Sequence, residues 1–202
     1  MQNGLMTSPA ASFTVPRFYE YLLVIQPAKQ VFEQLKQEKE TFYATYDVSV
    51  AKRTLPHITI ANFLAKEAME EIIINWMHKI ISSHQNFDVM LNNFSGFPSS
   101  KTVYARVQDH EPFKQLAASL KVIDNYIKDN GLPRAFISTY PHVTIARSLQ
   151  QSIYEKAIMD YSRKTFNANF TVDELVLLKR QSQFDTCKQI SVFKLSGRNL
   201  KN

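Results

Sequence analysis

The chain carries the same hexapeptide twice, and this duplication constrains the fold more than any other feature of the sequence. Residues 56–61 read PHITIA and residues 141–146 read PHVTIA, so the copies differ only by Ile for Val. They begin 85 residues apart, at positions 56 and 141 of a 202-residue chain. A solenoid needs three or more repeats. Two long repeats therefore predict a two-lobed domain with internal pseudo-symmetry, and pockets favour the junction of such lobes.

The pattern of apolar residues predicts the same order of elements in both halves. Short apolar runs predict strands, and apolar residues spaced i, i+3, i+4 and i+7 predict helices. The expected elements are strand 21–25, helix 28–40, strand 55–63, helix 65–84 and strand 87–94, then strand 101–108, helix 111–129, strand 140–147, helix 150–164 and strands 170–178 and 190–195.

The repeat extends faintly beyond the hexapeptides. The sequence FEQL at 32–35 has a counterpart, FKQL, at 113–116 in the corresponding helix of the second half. We therefore expect one domain over residues 18–202, with repeats at about 19–100 and 101–196. Residues 1–17 are small and polar without a period, which predicts a flexible N-terminal leader.

Composition excludes several classes of protein. The single cysteine, Cys187, excludes an internal disulfide and a cysteine-rich zinc site. There is no apolar run long enough to span a membrane and no signal-peptide pattern, so we expect a cytoplasmic protein with no membrane partner. We take it to be a monomer by default. A net charge of +6 permits an anionic partner such as a phosphate ester or RNA.

Each hexapeptide lies on a predicted strand, where residues i and i+2 point to the same face. Regular alternation places His57, Thr59 and Ala61 on one face, with Ile58 and Ile60 on the other. The second copy follows the same rule, with His142, Thr144 and Ala146 on one face and Val143, Ile145 and Arg147 on the other. A two-fold relation between the lobes would bring the two polar faces together across a cleft.

Two imidazoles and two hydroxyls around one point suit phosphoester chemistry. One histidine can take a proton from the attacking water while the other protonates the leaving oxygen. Two threonine hydroxyls can donate hydrogen bonds to the phosphate oxygens, where charge builds up. The sequence contains no H-E-x-x-H or C-x-x-C motif, so we expect no metal and no cofactor.

Segments 55–60 and 140–147 resemble the paired signatures of the two-histidine phosphoesterases, specifically the 2′-5′ RNA ligase-like or RNA 2′,3′-cyclic phosphodiesterase branch. The resemblance implies a bilobal α+β fold in which two antiparallel sheets face a central groove and helices lie outside. It implies a hydrolase that opens 2′,3′-cyclic phosphates without a metal, usually leaving a 2′-phosphate. Reversible 2′-5′ RNA ligation without ATP would be the opposite transfer.

The resemblance also implies roles for single residues. By motif position, His57 and His142 form the acid–base pair, and Thr59 and Thr144 contact the phosphate. Our working assignment for hydrolysis makes His142 the base and His57 the acid. Arginine is frequent in this family at the position of Arg147, where it either binds phosphate or braces the sheet.

Three further residues are candidate substrate contacts. Tyr104 and Arg106 share one face of their predicted strand and could stack on a base and contact a phosphate. An ordinary strand surface is the simpler interpretation of both residues. Tyr140 precedes His142 by two residues, so alternation puts it on the same face, either against substrate or in packing.

Two other functions remain open at this stage. The chain could be a non-catalytic module that binds a nucleotide or an RNA end, or an interaction protein that retains the motifs as relics. The physiological substrate is equally open, because RNA ends, tRNA fragments, nucleotides and ADP-ribose cyclic phosphates present the same cyclic diester. We expect RNA processing to be the setting if the substrate is RNA.

Overall fold

A computed structural model describes residues 17–182 and 185–197 of the chain. Within these residues the strands are β1 (Phe18–Ile25), β2 (Ile58–Lys66), β3 (Phe87–Phe97), β4 (Thr102–Val107), β5 (Phe136–Ile137), β6 (His142–Ala146), β7 (Asn167–Val172), β8 (Glu174–Arg180) and β9 (Lys188–Lys194). The helices are α1 (Lys29–Tyr46), α2 (Val50–Arg53), α3 (Glu70–Ser82), α4 (Glu111–Asp129) and α5 (Gln151–Tyr161), with a 3₁₀ turn at Glu67–Met69.

The long helices form where the apolar stripe predicts them. Helix α4 has the predicted bounds, with Pro112 in its first turn, where a missing N–H costs nothing. Helix α1 runs six residues beyond the predicted end at 40. Its buried stripe continues to Phe42, and it ends at Asp47, which adopts a left-handed conformation with φ of 52°. Tertiary packing thus extends a helix that sequence periodicity alone ends early.

One predicted strand is wrong. Residues 170–178 are not a single strand but the end of β7 and most of β8, separated at Asp173. Strand β7 pairs with β3, whereas β8 pairs with β1 and β9. Apolar residues lie on both sides of the exposed Asp173 and Glu174, which mark the break between the two strands. The partners of β7 and β8 lie in different halves of the sheet.

The strands form one antiparallel sheet that curls into a half-barrel. The order is β7-β3-β4-β6-β2-β1-β8-β9, and the short β5 pairs with β2. Strands β2 and β6 meet at the centre through a single residue pair, Ile58 with Val143. The two halves diverge from this pair, which confirms the predicted α+β class with two pseudo-symmetric lobes of antiparallel strands. One hydrophobic core runs beneath both halves.

The two lobes do not coincide with the two sequence repeats. Strand β3 belongs to the first repeat but pairs with β4 and β7 in the second lobe. Strands β8 and β9 belong to the second repeat but extend the first lobe through β1. Helix α1 of the first repeat packs on β6 and β7, and helix α4 of the second repeat packs on β2. Each lobe is therefore built from both repeats.

The predicted leader, residues 1–17, lies outside the described residues except for Arg17. The backbone carbonyl of Arg17 accepts a hydrogen bond from the Glu67 amide. Among the helices that the structure describes, none combines the length and the apolar character needed to cross a membrane.

Candidate active site

The two hexapeptides form the central strands of the sheet, β2 and β6. On the side facing the helices, Ile58, Ile60, Val143 and Ile145 are almost completely buried in the core. Their polar neighbours are only half-buried, and these are His57, Thr59, His142 and Thr144. The predicted division into an apolar face and a His/Thr face is therefore observed in both copies.

The antiparallel register sets how the two polar faces meet. Ile58 pairs with Val143, and each is the third residue of its hexapeptide, so the pseudo-two-fold axis passes through this pair. In antiparallel register, His57 then lies across from Thr144, and Thr59 lies across from His142. The histidines and threonines therefore alternate around one point.

A β-bulge follows the threonine of the first motif. On strand β1, Val24 pairs with Thr59 but Leu23 pairs with Ala61, so Ile60 is an extra residue on β2. A bulge of this kind shifts the following side chains to the opposite face. Ala61 is consequently in the core at 3% exposure, and the prediction that it shares a face with His57 is wrong.

The second motif contains the same bulge at the same place. Tyr104 of β4 pairs with Thr144 but Val103 pairs with Ala146, so Ile145 is the extra residue. Ala146 is buried in the core, which again contradicts regular alternation. The shift also corrects the expected position of Arg147. Instead of joining Val143 and Ile145, the Arg147 side chain is exposed, and its charge acts on the pKa of His57.

Both imidazoles are held by the same hydrogen bond. Nδ1 of His57 lies 2.8 Å from the carbonyl oxygen of Leu55, and Nδ1 of His142 lies 3.0 Å from that of Tyr140. A carbonyl can only accept, so Nδ1 is the protonated nitrogen and donates in each ring. This leaves Nε2 as the nitrogen that is able to exchange a proton. Among the described residues, neither Nε2 has a hydrogen-bond partner.

The surroundings lower the pKa of both histidines. Burial is the main cause in each case, and the hydrogen bond to the backbone carbonyl opposes it. The pKa of His57 is lowered further by the positive charges of Lys39, Arg147 and His142. The two imidazoles thus share a geometry but not an electrostatic environment.

Neither threonine hydroxyl of the motifs hydrogen-bonds to another described residue. Thr59 and Thr144 are therefore free to donate to a bound anion. Arg147 is exposed and likewise has no ion-pair or hydrogen-bond partner among the described residues. Three donors without protein partners thus belong to the two motif strands. Across residues 17–182 and 185–197, no group of three His, Cys, Asp or Glu side chains could hold a metal ion.

Aromatic rings surround His142. The rings of Phe97 and Tyr104 lie 5.0 and 5.2 Å from its imidazole and stack on each other at 4.3 Å. Tyr140 packs edge-on against Phe97, and its hydroxyl lies 3.4 Å from that of Tyr104. His110 packs against Tyr140 at 4.6 Å. The structure thus brings both predicted tyrosines to the second histidine.

The sequence did not single out Phe97 or His110. Phe97 ends strand β3, in a segment whose composition is typical of a turn, and no local pattern marks it as a site residue. Arg106 pairs with His142 across β4 and β6, and its Nε donates to the carbonyl of Asn92 at 3.1 Å. The predicted pair of Tyr104 and Arg106 therefore flanks the second motif, although Tyr104 is only 2% exposed.

Lys39 of α1 is the other residue that sequence reasoning missed. Only 3% exposed, it donates from Nζ to the carbonyl oxygens of Thr144 and Ile145 at 2.9 and 3.0 Å. Burial and the charge of Arg147 lower its pKa to about 8. A signal was present, because Lys39 falls in the apolar stripe of α1 with Val31, Leu35 and Phe42.

Curated relatives match this chain over most of its length. A "Putative phosphoesterase" of Oceanobacillus iheyensis is 25% identical over 161 residues, covering 79% of this chain and 88% of the relative. A "Putative phosphoesterase" of Staphylococcus aureus strain Newman is 24% identical over 176 residues, covering 86% and 98%.

Solved structures show the same fold at lower identity. E. coli LigT complexed with 3′-AMP superposes with a TM-score of 0.61 at 14% identity, covering 90% of this chain and 99% of LigT. The protein TT0787 of Thermus thermophilus superposes with a TM-score of 0.65 at 16% identity, covering 89% and 99%.

The family model of the 2′-5′ RNA ligase superfamily matches residues 24–183, a span that contains both motif strands, both bulges and every site residue described above. The chain therefore belongs to the 2′-5′ RNA ligase superfamily.

Proposed function

We propose that this protein is a phosphoesterase that opens 2′,3′-cyclic phosphates of RNA ends or nucleotides, with His57 and His142 as its acid–base pair. One observation carries the proposal. Two imidazoles, each locked in the same tautomer by a carbonyl two residues upstream, are brought together by a single strand pair. Such a tautomer presents Nε2 to the ligand, which is what proton transfer to and from a phosphoester requires.

The reaction divides between the two Nε2 atoms. His142 Nε2 takes a proton from water as the water oxygen forms a bond to phosphorus. The bond between phosphorus and O3′ breaks, and His57 Nε2 donates its proton to O3′. A 2′-phosphate and a free 3′-hydroxyl result. Proton exchange with solvent then restores the starting state of both histidines.

The electrostatic asymmetry supports this division of roles. A protonated His57 lies near the charges of Lys39 and Arg147, which lower its pKa and make its imidazolium a stronger acid. A stronger acid is the better donor to a leaving oxygen. The pKa of His142 is lowered by burial rather than by neighbouring cations. It can accept the proton of water without close repulsion from those two charges.

The remaining donors suit the phosphate. The hydroxyls of Thr59 and Thr144 donate to the non-bridging oxygens, and Arg147 pairs with the same group as negative charge grows. The aromatic rings around His142 offer a stacking surface for a nucleobase, of which Tyr140 is the accessible member at 46% exposure. The 3′-AMP bound to E. coli LigT agrees with a nucleotide ligand for this fold.

The decisive experiment incubates the purified protein with the four 2′,3′-cyclic mononucleotides and with an oligonucleotide ending in a cyclic phosphate, in EDTA. Phosphorus NMR identifies the product. We expect ring opening to a 2′-phosphate. A 3′-phosphate product would reverse the orientation of the leaving group.

The same assay separates the alternatives. Tight binding of a cyclic nucleotide without turnover would show that the protein is a binding module, and the hydrolase proposal would fail. Ligation is tested separately by incubating the cyclic-phosphate oligonucleotide with a second RNA that has a free 5′-hydroxyl and no phosphate at its 2′ end. A 2′-5′ linked product appears as a longer RNA on a denaturing gel.

A further inference from the structure

Lys39 is a cation buried in the core behind the second motif. Its ammonium group donates to the carbonyls of Thr144 and Ile145, and Thr54 Oγ1 lies 3.5 Å away. Among the described residues, no Asp or Glu forms an ion pair with it. Burying an ammonium group costs free energy unless other groups compensate, so a lysine is a costly choice for filling the core.

The second repeat has an apolar residue at the position equivalent to Lys39. Aligning FEQL at 32–35 with FKQL at 113–116 places Lys39 in register with Leu120 of α4. Leu120 is 1% exposed and lies in the same kind of apolar stripe. The two helices also pack in corresponding ways, α1 on β6 and α4 on β2. An apolar side chain is therefore sufficient where the helix packs behind the first motif instead of the second.

The carbonyls that Lys39 holds belong to the bulge of the second motif. Ile145 is the extra residue there, so its carbonyl is displaced from the regular ladder. In the first motif the equivalent carbonyl, that of Ile60, accepts a backbone hydrogen bond from Ser138 at 2.8 Å. One bulge is thus closed by main chain and the other by an ammonium group.

Lys39 also contacts Thr54, in the segment that leads into the first motif. Thr54 directly follows α2 and lies three residues before His57. Thr144 and Ile145 follow His142 on the other motif strand. Strands β2 and β6 share a single residue pair, so few backbone hydrogen bonds hold the two histidine strands together. The Lys39 ammonium group contacts both the segment before His57 and the strand after His142, and so links the two.

We propose that Lys39 is a positioning residue of the active site, which fixes the second motif strand at its bulge and places a buried positive charge behind His57 and the phosphate position. This inference rests on the proposed use of His57 and His142. The groups whose charges act on His57 are Lys39 of α1, Arg147 after β6 and His142 of β6.

The test compares Lys39→Met with a matched control, Leu120→Met, at the equivalent place in the other repeat. NMR titration of the imidazole protons gives the pKa of His57 in each protein. Because Lys39 is a like charge, its removal should raise the pKa of His57, while Leu120→Met should leave it unchanged. An unchanged His57 pKa in Lys39→Met would overturn the proposal.

Turnover of a 2′,3′-cyclic nucleotide provides the second measurement. We expect Lys39→Met to lower kcat by about tenfold or more, because a small displacement of catalytic groups is costly, with KM changed less than kcat. Equal losses of kcat in Lys39→Met and Leu120→Met would reduce Lys39 to a packing residue. If wild-type protein turns over no cyclic phosphate, the proposed function fails, and the His57 titration still decides the role of Lys39.

Wild-type protein decides the matter if Lys39→Met does not fold. Selective ¹⁵N labelling of lysine and a titration of the Lys39 ammonium group should give a pKa of about 8. A Lys39 ammonium group that exchanges its protons with water as fast as the exposed lysines is not held at the two carbonyls, and that result would refute the proposal.

Discussion

The two motif strands have one backbone design and two different surroundings. Each has a histidine whose Nδ1 donates to the carbonyl two residues upstream, a threonine two residues later, and then a bulge. Around this shared frame, the first motif has Val24 opposite its threonine where the second has Tyr104. The shared parts hold the two imidazoles in the same orientation, and the differing parts give them different surroundings.

The second residue after each bulge shows this difference most clearly. Asn62 and Arg147 both stand five positions after the motif histidine. Asn62 donates from Nδ2 to Glu20 at 2.9 Å and is thereby engaged within the protein. Arg147 has no such partner among the described residues. A positive charge is therefore present at this position of the second motif and absent from the equivalent position of the first.

The largest expected effect comes from substituting the histidine that the two motifs share. His57→Ala and His142→Ala should each lower kcat/KM for a cyclic nucleotide by about 10³-fold, since general acid–base catalysis contributes about 10²- to 10⁴-fold. His78→Ala, an exposed histidine of α3, is the control and should keep wild-type rates. Near-wild-type turnover by either motif variant would show that the two histidines do not act as a pair.

The next test substitutes the residues that differ between the motifs, Arg147 and Asn62. Arg147→Ala should lower kcat/KM by about 30-fold, because a charge-assisted hydrogen bond to phosphate contributes about 2 kcal/mol. Asn62→Ala, at the equivalent position, should change it much less. Steady-state kinetics on both variants measure the difference. Similar losses in the two variants would mean that the asymmetry after the bulges does not serve phosphate binding.

The threonines should show a smaller and symmetric loss. Thr59→Val and Thr144→Val keep the shape of the side chain and remove one donor to phosphate, so each should lower kcat by about tenfold. Their thermal unfolding temperatures should remain close to that of the wild type, since neither hydroxyl has a partner among the described residues. A loss confined to one threonine would show that the phosphate rests against one motif only.

The smallest expected effect is a displacement in pH. Activity needs one neutral and one protonated histidine, so kcat/KM should follow a bell between their two pKa values in the free enzyme. Both values are lowered, and the maximum should therefore lie on the acid side of about 6.5, the ordinary histidine value. A rate profile measured from about pH 4 to about pH 9 would contradict this if its maximum lay on the alkaline side.

Sequence periodicity predicted the central strands and the α4 helix because their signals are local. Apolar alternation in the hexapeptides and the stripe of α4 report burial directly. Sequence periodicity failed after Thr59 and Thr144. A bulge depends on the register between two strands, so the sequence of one strand does not indicate it. That single extra residue sends Ala61 and Ala146 to the core and Arg147 to the site.

Partners distant in sequence explain the other misses. Nothing in residues 170–178 indicates that β7 and β8 pair with different lobes, because strand partners are not encoded in a local run. Phe97 reached His142 only through the pairing of β3 with β4. Lys39 differs from these cases, since a lysine within an apolar helical stripe is visible in the residue spacing itself.

Strands β3 and β8 each come from one repeat and pair in the lobe that is centred on the motif of the other repeat. A chain containing a single repeat would have unpaired strand edges and only one of the two motif histidines. It could complete both only by associating with a second copy of itself, each subunit lending a strand to the other, as domain-swapped homodimers do. Both histidines of such a dimer would be identical by symmetry, and neither could specialise. Joining the two copies in one chain removes that constraint, so that arginine and asparagine, or lysine and leucine, can occupy equivalent positions in the two halves.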